Sequence, residues 1–253
     1  MPDILNDSFS GNVIRFWGRN PTIGSGSLED LNHYGLAIDP YSVLGAGSAL
    51  DISSSSTADA AAGTGARTVR IVGLDASGAF QSAVVTLNGQ TQFTTSTTWT
   101  DVWAADVITT GTGLSNAGDI YIIKTGTGGV VTAGVPATVT SGLVKILVGW
   151  NTDMNGHYCV PIGSPYKYKV VDICASSYTQ AAALHVCIQE PFSPTDKSIH
   201  LVAVVGLGSA GHAQLNTENC EFVIGAGQAV RIRAQGAAAS AVTQANVTLK
   251  RVF

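Results

Sequence analysis

The chain has 253 residues, a formal net charge of −4 and only 12% charged side chains, set against 29 glycines. That length suits one large or two ordinary domains, and it buries a substantial core without metal or disulfide support. With about half the usual share of charge and no basic cluster, the chain is excluded as an electrostatic binder of nucleic acid, and no apolar run approaches the ~20 residues of a membrane-spanning helix. A surface this poor in charge is either covered in an assembly or coated by Ser, Thr, Asn and Gln. Residues 1–140 hold 11 Asp/Glu against 5 Lys/Arg, and residues 141–253 hold 6 against 8. That mild asymmetry permits an acidic half facing solvent and a near-neutral half facing a partner.

Residues 1–35 read as an extended N-terminal arm. The start, MPDILNDSFSG, has neither the basic opening nor the apolar core of a secretory leader, so folding in a reducing cytoplasm is expected. One apolar burst, Val13–Trp17, leads into Gly18-Arg19-Asn20-Pro21 and a Gly-Ser linker. Ser27-Leu28-Glu29-Asp30 resembles the start of a helical turn, with Ser27 as N-cap. Phe16, Trp17 and Tyr34 are large anchors with no local core to enter. They either pack on the domain that follows or cross to a neighbouring subunit.

Residues 36–140 form a first β domain. Its expected strands are Ala49–Ser53, Thr68–Leu74, Ser82–Leu87, Trp99–Ile108, Asp119–Ile123 and one from Thr138 onward. Their spacing, with Gly, Ser, Asn and Asp clusters between, is that of a sandwich or barrel. Thr68–Leu74 is apolar on both parities apart from Arg70 and Gly73. Asp75-Ala76-Ser77-Gly78 has tight-turn chemistry, and Asn88-Gly89 is a strong hairpin signal. Ser54–Gly89 therefore reads as an antiparallel meander.

Residues 141–253 form a second β domain. Its expected strands are Leu143–Trp150, His157–Val160, Tyr166–Ala175, Ala183–Gln189, His200–Gly206, Cys220–Ile224, Ala229–Ala234 and Ala245–Val252. YKYKVVD sets Lys167 and Lys169 on one face and Tyr166, Tyr168 and Val170 on the other. Cys159, Cys174, Cys187 and Cys220 show no CxxC pairing, and the last three sit in apolar runs. They are expected as reduced core thiols. The whole chain thus reads as all-β: two tandem antiparallel β-sandwich (jelly-roll-like) domains preceded by the arm.

Motifs that suggest chemistry have simpler explanations. Gly206-x-Gly208-x-x-Gly211 after an apolar strand imitates a dinucleotide fingerprint. The fingerprint needs a helix after the third glycine and a βαβ unit around it, and neither follows, so a hairpin loop is expected. The five histidines form no HxH, HxxxH or HExxH pattern. His185 and His200, with Cys187, would make a metal site only if neighbouring strands brought them together. Asp101, Asp106 and Asp119 supply carboxylates, but their separation is not set by sequence. No GxSxG elbow is present. No catalytic residue, cofactor or metal is assigned.

Several stretches together resemble a family of virion structural proteins of tailed phages, common in marine and freshwater phages. The resemblance is carried by Gly18-Arg19-Asn20-Pro21, by Ala62–Val69, Gly73–Asp75 and Val85–Gly89, by Asn116–Ile120 (NAGDI) and by Tyr158–Gly163 (YCVPIG). It is strongest in the first domain and loose after Ala175. It implies a non-enzymatic virion component, assembled in the bacterial cytoplasm and placed on the outer capsid surface. Two sandwiches, low charge and an arm suit a decoration, or cement, protein that clamps the major capsid protein, as a homotrimer over capsomer junctions. Arg15, Phe16, Trp17, Arg19 and Tyr34 are then the expected anchors to neighbours. A tail or neck component, such as a fibre, ring or receptor-binding knob, is the alternative.

Overall fold

The computed structural model describes residues 12–26, 28–32, 44–189, 199–217, 222–238 and 241–252. Among these the regular structure is all strand. In chain order the strands are β1 Val13–Ile23, β2 Glu29–Asp30, β3 Leu50–Ser54, β4 Ala66–Asp75, β5 Phe80–Thr86, β6 Phe93–Thr94, β7 Trp99–Thr110, β8 Ile120–Lys124, β9 Val131–Thr132 and β10 Val135–Pro136. There follow β11 Gly142–Ile146, β12 Thr152–Met154, β13 His157–Cys159, β14 Lys167–Ser177, β15 Ala182–Gln189, β16 Ile199–Leu207, β17 His212–Asn216, β18 Val223–Ile224, β19 Ala229–Gly236 and β20 Ala241–Val252. All pairings between them are antiparallel.

The chain divides into two compact units. One is Ile38–Met154; the other combines Met1–Ala37 with Asn155–Phe253. The division differs from the expected 1–35, 36–140 and 141–253. The reason is β1, which pairs along nearly its whole length with the closing strand β20, from Val13↔Lys250 to Ile23↔Ala241. The segment read as an arm is thus an edge strand of the C-terminal sandwich. Its local sequence could not show this, because the partner lies more than 200 residues away.

The unit Ile38–Met154 holds two four-stranded sheets, ordered β11-β8-β3-β6 and β12-β7-β4-β5. Leu50, Ile52, Val69, Ile71, Trp99, Val102, Ile120 and Ile122 lie in the core they enclose. Each such side chain adds about 1.5–3 kcal/mol on burial. β4 is central in its sheet, between β7 and β5, which explains its apolar residues on both parities. Arg70 interrupts that run because Asp106 on β7 meets it with two bonds, Nε to Oδ1 at 3.0 Å and a terminal nitrogen to Oδ2 at 2.9 Å. The Asp75–Gly78 turn forms as expected: the Gly78 amide donates to the Asp75 carbonyl. Asn88-Gly89 does not close a hairpin. After it the chain leaves the β4–β5 sheet for the other, where β6 pairs with β3. The expected meander therefore ends at β5.

The other unit pairs a sheet ordered β1-β20-β14-β17, with β18 also on β14, with one ordered β13-β19-β15-β16, with β2 on β19. Tyr168 and Val170 of β14 are buried while Lys167 is exposed, as the alternation predicts. Glu29 and Asp30 form β2 and not the helical turn that Ser27 suggested; Ser27 itself lies outside the described residues. Cys159 and Cys187 are buried and free. Cys174 is free but exposed, contrary to expectation. Its neighbours Ile173 and Ala175 take the inward positions, so strand alternation turns the thiol out. Cys220 lies outside the described residues.

Candidate interaction site

In the unit Ile38–Met154, the stretches that carry the family resemblance converge on one loop cluster. At its centre is Asp59, whose residue is fully buried. One carboxylate oxygen accepts from the backbone amides of Ala66 (2.7 Å) and Ala117 (2.8 Å). The other accepts from the Ser54 hydroxyl (2.6 Å) and the Gly118 amide (2.9 Å). A buried carboxylate is tolerated when this many donors converge on it. The Asp59 carbonyl accepts from the Gly89 amide at 2.7 Å, and the Gly89 carbonyl from Ser54 at 3.0 Å. AGTGA, VTLNG and NAGDI are therefore three sides of one joint. Gly65 is required there, since a Cβ would lie 2.2 Å from an Asp59 oxygen.

Asn116 extends the joint. Its amide nitrogen donates to the carbonyls of Gly118 and Leu147, both at 2.8 Å. The β9–β10 hairpin docks alongside, where the Ser53 hydroxyl donates to the Gly134 carbonyl at 2.8 Å. Ala133 and Gly134 both have positive φ, 48° and 77°, as a two-residue type I′ hairpin requires. A Cβ at Gly134 would fall 1.7 Å from the Ser54 carbonyl oxygen, so no other residue fits.

The joint consumes its polar groups internally, and apolar side chains stand out from its loops. Leu114 is 78% exposed and Val130 76%. Leu114 also holds φ at 60°, a left-handed conformation that costs a side-chain-bearing residue about 1–2 kcal/mol. An exposed leucine kept in that conformation marks a candidate contact point.

The expected anchors on residues 1–35 are divided by strand alternation. Phe16 faces the core of its unit, is 1% exposed and stacks on Tyr158 with ring centroids 6.5 Å apart. It is a packing residue and is not available to a neighbouring subunit. Arg15 is exposed and Trp17 and Arg19 are half-buried, all three on the opposite face of β1. Tyr34 lies outside the described residues. Asn20 of the GRNP element is fully buried and donates to Glu29 Oε2 at 3.0 Å and the Asp30 carbonyl at 3.3 Å. It ties β1 to the segment around β2. Tyr158, from YCVPIG, is buried against Tyr168 in an edge-on pair at 6.0 Å.

One polar cluster escaped the sequence reading. Asp30 meets Arg231 at 2.5 Å and Arg233 at 3.3 Å, and Arg231 donates to Gln189 Oε1 at 3.1 Å. Arg231 is almost completely buried. Burial raises the Asp30 carboxyl above its ordinary value, with Arg231 and Arg233 opposing that rise. The alternation of VRIR was visible, but the acid that answers it lies about 200 residues upstream.

The residues with apparent chemistry are dispersed. Gly208–Gly211 is a tight turn between β16 and β17, closed by the Gly211 amide on the Gly208 carbonyl at 2.9 Å. His185 pairs opposite Val204 and His200 opposite Ile188, so the ladder does not join them. Among the described residues no three His, Cys, Asp or Glu side chains gather as a metal site. Asp101 accepts from the Trp103 indole at 2.8 Å, Asp106 holds Arg70, and Asp119 holds Lys145 at 3.0 Å. These three carboxylates serve three different partners.

No family model matches the sequence, and no curated protein matches it. Among solved structures, the chain has a slight likeness to a chain in the structure of infectious bursal disease virus Gx strain. Identity is 11%, over 94% of this chain and 71% of that one, with a TM-score of 0.21. A second likeness is to the infectious bursal disease virus VP2 subviral particle, at 10% identity over 100% of this chain and 74% of that one, with a TM-score of 0.19. At such TM-scores neither likeness carries weight for fold or function.

Proposed function

We propose that the chain is a non-enzymatic structural component of a phage virion, a decoration protein that binds the shell of major capsid protein and self-associates on its outer surface. The observation that supports this most is the Asp59 joint. The motifs resembling phage virion proteins are built there into a rigid platform whose polar groups are spent on one another. Its loops turn Leu114 and Val130 outward. Such a surface stabilises by burial: a standard interface of roughly 1,600 Å² supports a stable contact, and a symmetric oligomer multiplies weak contacts by avidity. The low charge of the chain suits a surface that is covered on assembly.

The test is the copy number of this chain relative to the major capsid protein in purified particles, by quantitative mass spectrometry. Decoration requires copies in the hundreds, distributed over the shell in cryo-electron micrographs. A number matching a single symmetric ring or fibre would place the chain in the tail or neck and overturn the decoration reading. Absence from purified particles would overturn the virion reading as well.

A further inference from the structure

The unit that contains β1 leaves one sheet edge open. β16 ends the order β13-β19-β15-β16, and among the described residues no strand pairs with its outer side. An edge strand offers a row of backbone donors and acceptors, and proteins usually blunt it with lysine, proline or a covering segment. The opposite edges of this unit are blunted. β1 carries Arg15 and Arg19 and has the Leu31 and Gly156 backbones beside it at Gly18. β13 is only three residues long.

β16 has none of this protection. From Ile199 to Thr217 the sequence contains no Asp, Glu, Lys, Arg or Pro. Leu201 and Val204 are 56% and 53% exposed. Gly206 adds a second sign. It has no positive φ, and a Cβ there would meet nothing within 4 Å, so neither its backbone nor its packing within the chain calls for glycine. It helps to line an open trough of about 540 Å³ with Ala183, Gly208, Gln235 and Gly236. Glycine in a strand where nothing in the chain needs it marks a place where another backbone approaches.

We propose that β16 is the edge through which two copies of this chain join, strand to strand and antiparallel, in a pair centred on Val204. The proposal deepens the self-association in the decoration reading and rests on that part of it. Three properties select a second copy as the occupant. The chain is net negative, so two copies repel except where the contact carries no charge, and β16 carries none. The knob and the hole lie on the same strand: antiparallel pairing brings Leu201 of one copy toward the Gly206–Gly208 trough of the other, twice. The contact is thus self-complementary, as a two-fold interface must be. β17, the edge of the facing sheet, carries the polar but uncharged His212, Gln214 and Asn216 outward, which places no like charges across the same axis.

The test is the mass of the purified full chain by light scattering over a range of concentration. The parent is expected to associate from its 26.0 kDa monomer. Val204→Lys sets two like charges opposite each other and is expected to return the chain to the monomer mass. Because Val204 is half-exposed, the variant should keep the parent's circular dichroism and melting. Val204→Glu alone should also be monomeric, and mixing the Lys and Glu variants should restore pairs. Amide exchange supplies a second readout: alternate amides of Ile199–Leu207 should slow with concentration in the parent and not in Val204→Lys. The proposal is overturned by a parent that stays at 26.0 kDa, by an assembly that Val204→Lys leaves unchanged, or by a Lys and Glu mixture that does not pair. An assembly that ignores Val204→Lys while the chain still coats particles would sink the β16 contact and leave the decoration reading standing.

Discussion

Replacing Asp59 by alanine removes the acceptor on which four donors converge: the Ser54 hydroxyl and the amides of Ala66, Ala117 and Gly118. A hydrogen bond to a charged group is worth about 1.5–3 kcal/mol net, and a buried donor left unpaired costs about 1–3 kcal/mol. Simple addition gives roughly 6–12 kcal/mol, but bonds to one group are not additive. Ser54 can also turn its hydroxyl elsewhere, and water can enter a loop joint. The expected loss is therefore about 4–6 kcal/mol, a large share of the stability of an ordinary domain. Asp59→Asn keeps the shape and one good acceptor, but sets an amide NH2 against one side of the donor array; about half the loss is expected. The assay is urea unfolding followed by the fluorescence of Trp99 and Trp103, both buried in this unit. The midpoint should fall with little change in slope, and melting should drop by roughly 10–25 °C. An Asp59→Ala protein within about 1 kcal/mol of the parent would refute the view that this joint holds the loops together.

Phe16→Ala should destabilise the other unit by about 3–5 kcal/mol, as for a buried core aromatic, while Arg15→Ala should change stability by less than about 0.5 kcal/mol; equal small effects in chemical denaturation would return Phe16 to the role of a surface anchor. In the native protein Cys174 should react promptly with a thiol reagent, and Cys159 and Cys187 only on unfolding; burial also pushes the Cys187 thiol up, away from the reactive thiolate. The side-chain bond from Ser77, helped by the amides of Ala79, Ser77 and Gly78, holds the Asp75 carboxyl below its ordinary 3.8. Its folded value is thus the lower one, so the contribution is present above the unfolded value and lost as pH falls through the folded one. Acid should loosen the β4–β5 turn in that window, seen as faster amide exchange at Ser77 and Ala79, and Asp75→Asn should abolish the step.

The strands were largely legible because their causes are local. β4 and β7 are β-branched and apolar runs bounded by turn residues, and Asp75–Gly78 closes on itself through contacts no more than four residues apart. What could not be read depended on partners far along the chain. Asn88-Gly89 has hairpin chemistry, yet its amide and carbonyl are taken by Asp59 and Ser54, and the next strand lies in the other sheet. Phe16 has no hydrophobic neighbours in its own stretch; its partner is Tyr158. Cys174 sits in an apolar run, but a run has two faces, and the burial of Ile173 and Ala175 turns it outward. The Arg231–Asp30 contact spans 201 residues.

By itself, then, the sequence determined the all-β class, most strand positions, the tight turns and the poverty of charge. These follow from side-chain shape, backbone freedom and composition, which act within a few residues. The tertiary structure alone decided that the first strand closes the last sandwich, that Asp59 gathers three separate motifs, and which edge of a sheet stays open. Those outcomes belong to pairings between distant segments, where backbone groups must find partners and each strand face must find either a core or water.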